Sequence, residues 1–374
     1  MWTFGSSGPG ATAGRLSVLA SLALAALAAA AWAAGPEPRG TAGPFGFVGN
    51  SGDDTLTVID LGTGTALVPE LDLLPEGNYP YDVTIRPGGA EVWICGAVGD
   101  GVVVVDAVTH TISERISLVG SAEYPVDVAF NADGSVAYVS GRDSDAVAVI
   151  DAGTYTVTGT IPITTAFLGP GKMAFSSARN ELYVVEWFDD ELYVIDAATG
   201  LVTPVSVGDS LWDLVLDPTQ SVLYLADRGT DEVHVFDLDS LMVTASVAVG
   251  DDPWGIDVTP GGELLVVADE DSSEVSVVDT ANLGVTPVVL PVGADPRDVD
   301  IAEDGSVAYV PSGDVGSPDA VYVLDLGSLM IADTIEVGGS NPNALAVATE
   351  GGSSLIFTDG FESGDTSAWS AVSP

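Results

Sequence analysis

The sequence predicts an all-β protein: a seven-bladed β-propeller of four-stranded antiparallel blades, closed by a C-terminal strand that completes the N-terminal blade. Three observations carry this. An aliphatic strand ending in Asp recurs seven times, a second short strand precedes each copy, and the strand missing from the first copy reappears after the last.

The recurring strands are Leu56 to Asp60, Val102 to Asp106, Val147 to Asp151, Leu192 to Asp196, Val233 to Asp237, Val275 to Asp279 and Val321 to Asp325. Their Asp residues lie 46, 45, 45, 41, 42 and 46 apart, which marks one structural unit repeated seven times. In every copy the residues four, two and one before the Asp are apolar, as in a strand sandwiched between neighbouring sheets. The Asp opens a turn, where its carboxylate can accept a backbone N–H two residues on, so all seven read as structural.

Upstream of each copy comes a strand such as Trp93-Ile94 or Tyr138-Val139, then, further back, a tight turn such as Ala132-Asp133-Gly134. Before the turn lies a strand opening with Pro80, Pro125, Pro170, Pro253 or Pro296, with Leu211 in the fifth copy. A variable fourth strand, such as Thr158 to Ile161, follows the Asp turn. The first copy starts directly at its second strand with Phe45, and Pro342 to Val347 matches the opening strand Pro125 to Phe130. Exchange of that strand closes the ring and protects its sheet edges.

Tyr138-Val139-Ser140-Gly141 with Asp145 to Asp151, preceded by Pro125 and Asn131-Ala132-Asp133-Gly134, resembles the YVTN-type β-propeller repeat of exported and surface-layer-like proteins. The resemblance covers residues 45–349 and implies architecture and export. Asn50 alone keeps the Asn of the namesake tetrad.

The ends fit export. Residues 1–33 read as a secretory signal, with an apolar run from Leu16 to Ala31 and a small-residue cleavage site at Ala31-Trp32-Ala33. A linker is expected over 34–44, the propeller over 45–349 and a polar tail over 350–374. The tail's Asp359-Gly360-Phe361-Glu362-Ser363-Gly364 resembles a short motif near the C-terminus of assorted exported bacterial proteins, and reads as a sorting or docking tag or as a disordered end. A secreted, periplasmic or cell-surface monomer is expected, with no membrane insertion once the signal is removed.

Nine Lys and Arg face 55 Asp and Glu. Such a chain should be repelled by nucleic-acid phosphates and anionic lipid. Asp outnumbers Glu by 38 to 17, a bias that suits turns and oxygen ligands. Cys95 is the sole cysteine and reads as a buried, inert thiol, so neither an internal disulfide nor a cysteine-based metal site can form.

In a propeller, the loops entering the innermost strands and those between the second and third strands emerge on one face. Here the second set is acidic, including Asp53, Asp54, Asp189, Asp190, Asp231 and Asp314. Two residues after each blade-opening position lies a column at the mouth of the central channel: Asp82, Asp127, Lys172, Asp213, Gly255, Asp298 and Ala344. Four carboxylates in a concave mouth focus negative potential, and a hard cation such as Ca²⁺ is the natural candidate ligand. One residue earlier the column reads Tyr81, Val126, Gly171, Trp212, Trp254, Arg297 and Asn343. Its aromatics and arginine suit a planar ring, a sugar face or a basic side chain, or else cover the packed blade tops.

The two histidines, His110 and His234, fall away from the mouth, leaving a His-based general base little to build on. The expectation is a secreted binding or scaffold module, not an enzyme. It would use the acidic face for an extracellular protein, peptide or small ligand. The rival is a carboxylate-dependent hydrolase or lyase at the mouth, as in seven-bladed lactonases.

Overall fold

The computed structural model describes residues 44–163, 169–188, 190–313 and 319–348. The expected signal, the linker up to residue 43, the tail, Asp189 and Asp314 lie outside the described residues. Within them the chain forms seven four-stranded antiparallel sheets and one 3₁₀ turn at Arg142–Ser144. Numbering blades in chain order, the innermost strands of blades two to six are Pro80–Ile85, Pro125–Phe130, Pro170–Ser176, Leu211–Leu216 and Pro253–Val258. Pro342–Ala348 pairs antiparallel with Phe45–Asn50 and is the innermost strand of blade one. The ring is thus closed by its two chain ends, as the repeat pattern predicts. The seventh blade departs from that pattern: its inner ladder shrinks to Asp300–Ile301, and Pro296 makes only an isolated bridge to Ser312.

Seven apolar layers, each between two neighbouring blades, form the core. Between blades two and three, for example, Trp93, Cys95 and Val104 meet Phe130, Val139 and Ile150, all buried. The last layer joins Val321 and Ile335 of blade seven to Val48, Ile59 and Leu345 of blade one. Each third strand is covered on both faces, which is why its sequence is nearly continuous Val, Ile and Leu. Cys95 is fully buried and burial pushes its thiol well up, leaving it inert.

The strand-ending aspartates behave as turn formers. Asp151 accepts the N–H groups of Gly153 and Thr154 at 3.0 and 2.9 Å, and Asp60, Asp106, Asp196, Asp237, Asp279 and Asp325 make equivalent bonds. A second set of aspartates ties adjacent blades on the opposite face. Asp54, Asp100, Asp190, Asp231 and Asp319 accept the N–H of Tyr79, Tyr124, Ser210, Asp252 and Asn341, each just before the next blade opens. All five donor residues on the next blade have positive φ, between 52° and 81°. Much of the acid excess therefore works as hydrogen-bond acceptors between blades, where Asp reaches and the longer Glu would overshoot.

Candidate functional site

A register shift follows the opening residue of each inner strand in blades two to six, as between Pro80 and Asp82. Such a bulge re-aims the next side chain. Asp82, Asp127 and Asp213 are buried, while Lys172 and Asp298 are half-buried. Lys172 Nζ lies 2.5 Å from Asp82 Oδ1 and 3.6 Å from Asp127 Oδ1. Burial works against its charge, yet the surrounding Asp82, Asp127, Asp298 and Asp213 outweigh it and hold its pKa well above the usual value.

The same carboxylates staple blade to blade. Asp127 accepts Met173 N–H at 2.6 Å, Asp213 accepts Ile256 N–H at 3.1 Å, and Asp298 accepts Leu345 N–H at 2.7 Å. Inner-strand N–H groups facing the channel have no further strand to pair with, and these carboxylates supply the acceptor. Gly255 belongs to this ring because a Cβ there would stand 2.6 Å from Asp298 Cα. Burial raises Asp213 to about 6 and Asp298 to about 7, and Asp127 well above the carboxylate range. Replacing Lys172 by Met is expected to cost about 3 kcal/mol at pH 8, because it strands buried carboxylates, and much less at pH 5. Urea unfolding at both pH values checks this; equal losses would show that packing, not charge, is what Lys172 provides.

Above the ring the predicted aromatic column is joined by a residue it did not contain. Trp187, from the loop after the second strand of blade four, stacks on Trp212 with centroids 4.2 Å apart and planes 6° apart. Its Nε1 donates to the carbonyl of Trp212 at 3.1 Å. Gly171 permits this, since any Cβ there would collide with the Trp187 indole. Tyr81 lies 5.6 Å from Trp187, and Trp254 lies 4.6 Å from Trp212. Arg228 caps the rings of Trp212 and Trp254 at 4.2 and 4.9 Å, and Arg297 caps Trp254 at 5.1 Å. Arg228 is clamped by Asp252, and Arg297 by Glu270 at 3.0 Å and Asp295 at 2.7 Å. The plate leaves a hole of about 10 Å³ lined by Tyr81, Lys172, Trp212, Asp213, Trp254, Arg297, Asp298 and Asn343. That is room for about one water.

All nine predicted site residues thus stand together, but as a filled layer instead of an open acidic mouth. The larger space is below it. A channel cavity of about 460 Å³ runs from Asp127 to the tight turns at Asp217-Pro218, Thr259-Pro260 and Glu303, and the exposure of Glu303 marks its opening. Its walls include Val83, Phe130, Phe175, Leu216 and Val347, with Asp257 and Asp300 among them. These two were missed by the sequence reading. Both lie four residues after the blade-opening position, on the same strand face as the ring column, so the period-two alternation carried the signal. Asp257 accepts Ile301 N–H at 2.8 Å and Asp300 accepts Val347 N–H at 2.6 Å. Burial raises Asp257 to about 7 and Asp300 well above the usual range, and among the described residues no Lys or Arg lines the cavity.

Neither His110 nor His234 lines the channel. His234 Nε2 pairs with Asp227 at 2.8 Å and its Nδ1 with Ser246 at 2.8 Å. Among the described residues, no three or more His, Cys, Asp or Glu side chains are grouped so as to hold a metal, and no helix is long and apolar enough to cross a membrane.

Seven blades around a filled mouth can be set beside known proteins. A family model, lactonase, seven-bladed β-propeller, matches residues 163–284. The match takes in blades four and five and most of blade six, with Lys172, Trp212, Asp213, Trp254 and Asp257. No curated protein matches the chain. Among solved structures, a functionally unknown protein from Desulfotomaculum acetoxidans is 14% identical with a TM-score of 0.68, over 82% of this chain and 99% of that one. Kuenenia stuttgartiensis hydrazine synthase is 18% identical with a TM-score of 0.62, over 72% and 92%. Dihydro-heme d1 dehydrogenase NirN is 18% identical with a TM-score of 0.60, over 78% of this chain and 63% of NirN. At these identities the likeness is one of fold.

Proposed function

We propose that the protein is an exported binding propeller of the YVTN type whose ligand enters the central channel from the tight-turn face. The observation that carries this is the contrast between the two ends: about 460 Å³ at one and about 10 Å³ at the other. The larger space falls in the range of small-molecule pockets and combines apolar walls with a few convergent polar groups. Asp257 and Asp300 lie in it with no Lys or Arg beside them among the described residues, so the favoured ligand is a protonated amine on a slim apolar body. Calcium is the lesser candidate, because Lys172 already places an ammonium against Asp82 and Asp127.

Hexylamine should raise the melting temperature at pH 8 saturably, hexanol should do so much less, and Asp257→Asn should weaken the amine effect about tenfold. If alcohol and amine act alike, the channel is a structural void. A second reading, carboxylate-dependent lactone hydrolysis, draws on the family match and on carboxyl groups that exchange protons near neutrality. Turnover of simple lactones that Asp257→Asn abolishes would put catalysis in place of binding.

A further inference from the structure

The narrow mouth has an unfinished feature. Among the described residues, Trp254 Nε1 and Asn343 Oδ1 are both buried without a hydrogen-bond partner, and both residues line the one-water hole. Asn343 is 7% exposed. Indole N–H can only donate, and the amide oxygen can only accept. A group that satisfies both must accept one hydrogen bond and donate another from a single small atom. A hydroxyl does this.

The surroundings select what the hydroxyl is attached to. The hole lies beside rings of Tyr81, Trp212 and Trp254, and two of these indoles are already faced by the guanidinium groups of Arg228 and Arg297. A planar guanidinium stacks on a flat π-system over its whole area, whereas the C–H face of a puckered sugar ring makes a smaller contact and no cation–π attraction. Charge is concentrated in the same sense: four of the seven basic side chains among the described residues, Arg142, Lys172, Arg228 and Arg297, gather at this plate.

We infer that the mouth is a recognition site for a phenol, a tyrosyl side chain included. Its hydroxyl occupies the hole between Trp254 Nε1 and Asn343 Oδ1, and its ring lies on the arginine-capped plate. This site is independent of the channel cavity, which lies on the other side of the Lys172 layer.

The test titrates the full chain with 4-ethylphenol, ethylbenzene and glucose, following tryptophan emission. Ethylphenol is expected to change the emission saturably and to bind at least tenfold more tightly than ethylbenzene, with no response to glucose. Trp254→Phe keeps a ring in the plate but removes the donor, and should erase the preference for the phenol. Asn343→Leu should do the same; should it fail to fold, Trp254→Phe carries the test alone. Asp257→Asn, in the channel, should leave the preference unchanged. Equal binding of ethylphenol and ethylbenzene, a preference that survives Trp254→Phe, or no emission change overturns the site and leaves the hole to a structural water.

Discussion

Raising the pH from 5 to 8 is expected to destabilise this propeller by on the order of 5 kcal/mol, at constant ionic strength. Burial lifts Asp213 to about 6, Asp257, Asp269 and Asp298 to about 7, and Glu270 to about 8, with Asp127 and Asp300 raised as well. In the unfolded chain these groups titrate near 4, so between about pH 4 and 8 the folded state holds more protons than the unfolded state. Stability held by a raised carboxyl is complete below the unfolded value and lost as pH climbs through the folded one. Repulsion among 55 acids against nine bases acts in the same direction. On the acid side the sign reverses. Hydrogen bonds hold Asp133, Asp151, Asp196, Asp237, Asp304 and Asp325 below the usual range, so their contribution disappears as pH falls below about 4. A stability maximum near pH 4 to 5 follows, readable from urea midpoints across the range. A midpoint that rises steadily from pH 5 to 8 would show that the channel carboxyls are ionised and solvated in the folded protein.

Removing the closing strand should be costlier still. Truncation after Gly338 deletes Pro342–Ala348, which pairs with Phe45–Asn50 along its length and buries Ala344, Leu345, Ala346 and Ala348. It also strips Asp298 and Asp300 of the Leu345 and Val347 N–H groups, leaving two carboxylates less satisfied beside an exposed edge. A loss of more than about 5 kcal/mol, or failure to fold, is expected, against almost no change for truncation after Glu350. Equal melting temperatures for the two truncations would mean that the ring does not depend on this closure.

Local sequence reached far into the fold. The Asp-terminated strand declares itself because both of its faces are buried and its turn needs a short carboxylate, two demands that act within a few residues. The strand exchange between Phe45 and Ala348 was legible because a repeat with a missing part has one place to find it. The mouth residues were found by the same register, and they do stand together.

Tertiary packing decided what those residues do. Asp82, Asp127, Asp213 and Asp298 read as an open acidic mouth because a sequence shows charges without their partners. In the structure each answers to a neighbour: Lys172 for Asp82 and Asp127, and the next blade's N–H groups for Asp127, Asp213 and Asp298. Trp187 reaches the plate from another loop only because Gly171 leaves it room, a long-range steric fact with no local signature. The sequence by itself determined the number of blades, their strands and their closure, since these follow from short-range periodicity. Which end of the channel is filled, and which is open, depends on how seven side-chain columns meet across the ring, and only the tertiary structure decides that.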